Sequence, residues 1–256
     1  MKGKSNKLKI IIGTLILLLL ICIVGVVRYL NFSLPADEQA VMAMTSTSLV
    51  KVEDTEDTIS FMPTDKVPTT GLIYYPGGQV EPESFAYAAR EIASKGYLVV
   101  IQKMPFNLAM FGKDKAYDIV EQYQDIDNWY LSGFSLGGIS ACMALAQDAT
   151  PFDGLILYAS YTTKDYDLSN SNLKVLSING SNDGLATPED IEKGKPYLPK
   201  DTIFYTIEGG NHTQNAIYGE GNLQKGDNPA SIDRMEQQDI IIEKTVEFMS
   251  QGTLTK

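Results

Sequence analysis

The apolar positions of this chain fall into three regimes. Residues 10–27 form an uninterrupted apolar run without a charge. A helix of that length reaches about 27 Å, close to the thickness of a bilayer's hydrocarbon core. Residues 28–48 mix Pro, Ala, Thr and Ser with little periodicity and read as a linker. From Leu49 to the end, short apolar strands alternate with helical patterns. Segments 49–53 and 58–62 flank Asp54-Thr55-Glu56-Asp57 as an entry hairpin. A strand at 71–75 precedes a helix at 82–95, where Phe85, Ala88, Ala89 and Ile92 recur at helical spacing and Gly96 is the stop. Residues 97–101 are continuously apolar, as in a strand buried on both faces. Further strands are expected at 129–131, 154–159, 173–178 and 202–207. Helices are expected around 115–123, 139–146 and 188–194, and a long amphipathic one at 232–249 closes the chain. An initial hairpin followed by strand–helix alternation predicts an α/β domain over 49–256, with a mostly parallel sheet covered by helices on both faces.

Charge refines the first regime. Lys2, Lys4, Lys7, Lys9 and Arg28 lie at the two ends of the apolar run, and no acidic residue precedes Asp37. The excess of positive charge on the N-terminal side predicts a cytoplasmic basic tail, 1–9, a transmembrane signal-anchor, 10–27, and a domain outside the cell membrane. Secretion after signal cleavage is the alternative, but the run exceeds the usual signal-peptide core and ends without a small-x-small site. The whole chain carries −11. Setting aside the five basic residues leaves 16 basic against 32 acidic, a body at −16 that excludes nucleic acid as a partner. Cys22 and Cys142 cannot form a disulfide framework.

The candidate chemistry centres on Gly133-Phe134-Ser135-Leu136-Gly137-Gly138, between an apolar strand and a small-residue helix. Strand, Gly-x-Ser-x-Gly, helix is the layout of a nucleophile elbow, which raises Ser135 Oγ above the sheet. A serine hydroxyl needs a neighbouring base, because at neutral pH it is almost wholly protonated. The sequence has a single histidine, His212, in a glycine-rich loop after the last expected strand. The acid that orients it is expected to be Asp183, in the turn Asn179-Gly180-Ser181-Asn182-Asp183-Gly184, with Asp165 or Asp167 as the alternative. Two N–H donors are needed for a developing oxyanion. Leu136 is expected to give one, and the turn Pro76-Gly77-Gly78-Gln79 the other, from Gly78 or a neighbour, Gly77 or Gln79. Residues 104–111 lie where a ligand would bind and either line an acyl pocket or pack as core; residues 213–231 form a long loop expected beside His212. No zinc spacing, phosphate loop or dinucleotide fingerprint occurs, so no cofactor or metal is expected.

These four motifs in this order, from the Pro76-Gly77-Gly78 turn to the Glu208-Gly209-Gly210-Asn211-His212 loop, resemble the α/β-hydrolase superfamily. More narrowly they resemble its small bacterial, dienelactone-hydrolase-like branch, over residues 49–249. The resemblance implies a Ser–His–Asp hydrolase that forms an acyl-enzyme with a small-molecule acyl substrate, most simply a carboxylesterase. Dienelactone hydrolases themselves use a cysteine where this chain has Ser135, and lipases of the superfamily carry His-Gly where it has Pro76-Gly77. The short 160–172 stretch leaves no room for the lid domain of many relatives. Acyl transfer, peptide hydrolysis and a non-catalytic binding role are the alternatives on the same fold.

Overall fold

The computed structural model describes residues 2–30 and 32–253. The chain divides between Ser33 and Leu34 into two units. The first contains one helix, α1 (Lys2–Leu30). It runs past both ends of the 10–27 stretch because no Pro interrupts the flanks and Lys and Leu sustain helix well. Within it Lys9–Leu30 is 22 residues long, apolar enough to cross a membrane, and unburied within the chain. The Thr14 hydroxyl donates to Ile10 O (3.0 Å), so even this polar group is satisfied inside the helix.

In the second unit a short helix, α2 (Glu38–Met42), precedes the hairpin β1 (Val50–Asp54) and β2 (Thr58–Pro63). The strand β3 (Thr70–Tyr75) leads through a 3-10 turn begun by Pro82 into α3 (Ala86–Ala93). Then come β4 (Leu98–Gln102), α4 (Lys115–Gln122), β5 (Asn128–Phe134), α5 (Leu136–Leu145) and β6 (Gly154–Tyr158). The chain continues through β7 (Lys174–Gly180), α6 (Pro188–Gly194) and β8 (Ile203–Ile207) to α7 (Arg234–Thr253). The eight strands form one sheet in the order β1-β2-β4-β3-β5-β6-β7-β8. Only the β1–β2 and β2–β4 pairings are antiparallel.

Alternation along the strands explains why both faces need cover. Leu72, Tyr74, Val99, Ile101, Tyr130, Ile156 and Tyr158 pack with α3 and α7 on one side. Their neighbours Ile73, Tyr75, Leu98, Val100, Trp129, Leu131, Leu155 and Leu157 pack with α4 and α5 on the other. A sheet buried on two faces presents only its edges to solvent, and loops at its carboxyl end are where ligands bind.

The 28–48 stretch departs from the expected linker. From Leu34 onward it is built into the fold. Leu34 N–H donates to Gln79 O (2.7 Å), and Leu34 O accepts from Glu81 N–H (3.1 Å). Three residues on, Asp37 N–H donates to Ile217 O (3.1 Å). The Asp37 carboxylate accepts from Glu220 N–H (2.6 Å) and pairs with Arg234 Nη1 (2.6 Å). Ala40 and Ala43 are fully buried. Weak periodicity concealed this segment because its order comes from partners distant in sequence rather than from a repeating apolar face.

Asp37 therefore closes the ordered start of the second unit. Its replacement by Ala is expected to cost about 1–3 kcal/mol, the range for hydrogen bonds to a charged group. Breaking the exposed Lys193–Glu189 pair with Lys193→Ala is expected to leave stability almost unchanged, because solvent screens the pair. Urea unfolding of the two variants checks the difference.

Candidate active site

Sheet topology dictates where the site lies. Two sequence-distant strands, β3 and β5, are neighbours, yet β3 connects onward to β4 on one side and β5 to β6 on the other. Tyr75 is in register with Gly133, so the turn after β3 and the turn after β5 emerge side by side. Such a divergence of connections opens a crevice at the carboxyl edge. The ends of β5, β6, β7 and β8 are aligned by the pairs Phe134–Tyr158, Tyr158–Ile178 and Gly180–Ile207.

At the end of β5, Ser135 adopts φ 52° and ψ −120°, a left-handed conformation that costs a non-glycine residue about 1–3 kcal/mol. Packing enforces it. A Cβ on Gly133 would overlap the Gly137 carbonyl, and one on Gly137 would overlap Tyr75 O. The turn is thus pressed against both α5 and β3, and glycines alone permit that approach. Ser135 N–H donates to Tyr158 O (3.0 Å), while Ser160 Oγ donates to Ser135 O (2.8 Å). Ser160 is a support that no sequence motif marked.

Asp183 and His212 follow the ends of β7 and β8, two and three strands further along the sheet. His212 Nδ1 is 2.9 Å from Asp183 Oδ2 and 3.1 Å from Oδ1, and both side chains are almost wholly buried. Asp183 Oδ1 also accepts from Leu185 N–H (2.8 Å) and Ala186 N–H (2.7 Å). These donors offset the desolvation of a buried carboxylate and leave it aimed at the ring. The Phe134 ring lies against the imidazole, centroids 4.7 Å apart. Asp165 and Asp167, the alternative acids, are exposed, and Asp167 is turned to Ser169 N–H (2.8 Å). Ser135 and His212 line a common cavity of about 80 Å³ with Tyr161, Leu185 and Ala186. Among the described residues no hydrogen bond joins the Ser135 hydroxyl to the ring; such contacts tighten when a substrate is bound.

The loop that carries His212 is fixed from below. Gln237 of α7, fully buried, accepts from Asn211 N–H (3.0 Å) and donates to Asn211 O (2.8 Å). Gly180 meets the Gly210 carbonyl so closely that a Cβ there would overlap it, which brings the Asp183 turn and the His212 loop backbone to backbone. Neither Gln237 nor Ser160 carries a local signature in the sequence.

Leu136 opens α5, where the first N–H groups have no intrahelical acceptor. Across the crevice, the Gly78 backbone lies beside the Leu136 and Leu108 side chains, close enough that a Cβ on Gly78 would be 3.0 Å from Leu136 Cδ2. Gln79, at φ 58°, has its N–H committed to Asn107 O (2.7 Å). That commitment removes Gln79 from the possible oxyanion donors and leaves Gly77 and Gly78. Residues 104–111 are divided between the two roles expected of them: Met104 and Ala109 are buried, whereas Phe106, Met110 and Phe111 are about half exposed. Cys142 is no rival nucleophile. It is fully buried, and desolvation pushes its thiol up to about 12, so it stays protonated. The described residues contain no cluster of His, Cys, Asp or Glu suited to a metal ion.

A doubly covered, mostly parallel sheet with a serine elbow, and a buried His–Asp pair on the following strand ends, defines an α/β-hydrolase architecture. The family model described as "Alpha/beta hydrolase family" matches residues 71–239. The chain belongs to that family. No curated protein sequence matches it. Solved structures similar to it include Est1E from Butyrivibrio proteoclasticus, crystallised with ferulic acid bound (14% identity, TM-score 0.59, covering 82% of this chain and 98% of that one). Esterase 2 from Thermogutta terrifontis, phosphoramylated by tabun, is also similar (15%, TM-score 0.56, 81% and 96%). So is a CIB-like hydrolase from Thermoplasma acidophilum (16%, TM-score 0.57, 78% and 96%). At these identities the likeness concerns the fold.

Crowding at the elbow can be measured without any substrate. Gly137→Ala is expected to destabilise the domain by about 3 kcal/mol, the upper end of overpacking penalties, because the obstructing atom is a sheet carbonyl rather than a mobile side chain. Ala141→Gly, in the same helix, is expected to cost about 1 kcal/mol. Thermal unfolding of both variants measures the contrast.

Proposed function

We propose that the protein is a serine hydrolase, a carboxylesterase acting through an acyl-enzyme, held at the cell membrane by α1 with its hydrolase domain on the extracytoplasmic side. The observation that carries the enzymatic reading is the buried His212–Asp183 contact, whose histidine lines the same cavity as Ser135. In this reading Asp183 accepts from His212 Nδ1–H and so leaves Nε2 as the proton acceptor. The Ser135 hydroxyl attacks the acyl carbon as its proton passes to Nε2. The resulting oxyanion is held by Leu136 N–H and Gly78 N–H, and its collapse expels the alcohol, which takes the proton back from His212. Water repeats the sequence and releases the acid. One structural neighbour is described as an esterase phosphoramylated by tabun and another, Est1E, with ferulic acid bound, which favours the same chemistry here. The basic tail and the 22-residue apolar stretch of α1 support the anchored topology.

Labelling with a fluorophosphonate probe tests the triad. Wild-type protein is expected to label, and Ser135→Ala and His212→Ala are expected not to. Absence of labelling in folded wild type would overturn the reading. In hydrolysis of a short-chain p-nitrophenyl ester, Asp183→Asn is expected to lower kcat by about 10⁴-fold, the scale seen when a triad acid can no longer hold its histidine's tautomer. Asp165→Asn is expected to remain within about twofold of wild type. Protease accessibility of the domain in intact cells, and an unprocessed N-terminus in the membrane fraction, test the topology.

A further inference from the structure

The 213–231 loop, expected beside His212, carries a carboxylate that is turned inward. Asp227 is nearly buried, and among the described residues no cation pairs with it. A carboxylate in that situation is tolerated only where donors replace its hydration. Asp227 has five. Its Oδ1 accepts from Gly184 N–H (2.9 Å), Asn228 N–H (2.8 Å) and, more distantly, His212 N–H (3.4 Å). Its Oδ2 accepts from Thr213 N–H (2.8 Å) and the Thr213 hydroxyl (2.6 Å). Gly184 directly follows the triad acid, and Thr213 directly follows the base. One carboxylate therefore holds the backbone beside Asp183 and the backbone beside His212 in a fixed relation.

We propose that Asp227 is a positioning residue that sets the orientation of His212 relative to Asp183, in addition to the direct bond between them. The inference rests on the triad reading above. It is specific to a carboxylate, because every group directed at Asp227 is a donor and a carboxylate accepts only. An amide of the same shape must turn its NH₂ toward one set of donors. On the Oδ1 side it would face backbone N–H groups. On the Oδ2 side it would face Thr213 N–H and a hydroxyl that already accepts from Gln224 N–H (3.0 Å). Neither orientation is satisfied, so the two turns separate slightly. A displacement near 1 Å at a catalytic group costs about 100-fold in rate.

The single histidine makes the test direct, since ¹⁵N-histidine labelling reports His212 and nothing else. In the full chain in detergent, wild type is expected to give one set of imidazole signals with the proton on Nδ1. Asp227→Asn is expected to broaden or double those signals and to lower kcat for a p-nitrophenyl ester by about 10–100-fold with KM changed less than about threefold. Thr213→Val, which removes one donor, is expected to lower kcat at least about fivefold, and Thr213→Ser to restore it to within about twofold. A folded Asp227→Asn protein with unaltered imidazole signals and wild-type kcat would overturn the proposal, even if its melting temperature falls. Should that variant fail to fold, equal kcat for Thr213→Val and Thr213→Ser overturns it instead. Loss of all esterase activity in wild type is a different result: it removes the proposed function, and the imidazole signals still report whether Asp227 orients the ring.

Discussion

The close backbone contact between the start of α5 and the end of β3 governs this site. Gly137 lies against Tyr75 O, and Gly133 against Gly137, so the chain leaving β5 has no choice but to turn sharply at the intervening serine. The same contact sets the N-terminal end of α5, with its unpaired N–H groups, next to the Gly77–Gly78 turn. Strain gathers around it. Of the non-glycine residues at positive φ, Ser135 and Ala159 follow β5 and β6, while Gln79, Phe106 and Asn107 belong to the mutually bonded loops on the other flank. Each conformation costs about 1–3 kcal/mol in isolation. They persist because the sheet is packed on both faces and its register leaves the loop anchors nowhere else to go.

His212 and Asp183 are held by a different kind of force. Where sterics fix Ser135, hydrogen bonds to buried polar groups fix these two side chains. Gln237 holds Asn211 at both its N–H and its carbonyl, Ser181 Oγ accepts from Gly209 N–H (2.8 Å), and Asp227 joins the two turns. A network of this kind is strong only while every member is satisfied, since an unpaired buried donor or acceptor costs about 1–3 kcal/mol. The division has a consequence for mutation. Changes near Ser135 act through volume, whereas changes around His212 act through donor–acceptor count and are felt even when shape is preserved.

The architecture was legible because it rests on short-range regularities. Continuous apolar strands, helical spacing at Phe85, Ala88, Ala89 and Ile92, and the Gly-rich turns all record local physics, and the elements fall within a few residues of their expected bounds. Ser135, His212 and Asp183 stand out as candidates for the same reason: each lies in a turn whose composition is dictated by its own backbone. What escaped were residues whose roles exist only across long sequence separations. Asp227, Gln237 and Ser160 act on turns 14 to 43 residues away in one direction or the other, with no periodicity to mark them. Gln79 was separable from Gly77 and Gly78 only through its bond to Asn107, 28 residues on.

The segment between Leu34 and Asp37 also acts across long sequence separations. It joins two parts of the site that the sheet does not connect directly. Leu34 binds Gln79 and Glu81 next to the Gly77–Gly78 turn, and Asp37 binds Ile217 and Glu220 in the loop beyond His212. Glu81 reinforces the first contact by accepting from Ala36 N–H through Oε2 (3.1 Å). A flexible linker would have left both loops with unpaired backbone groups at a buried edge, a cost that the observed pairing removes. The hydrolase unit therefore begins at Leu34 rather than at the first strand. Any cleavage that released an intact unit would have to fall before that residue, because a cut between Leu34 and Asp37 would free the Gln79 carbonyl and with it the loop that presents Gly78.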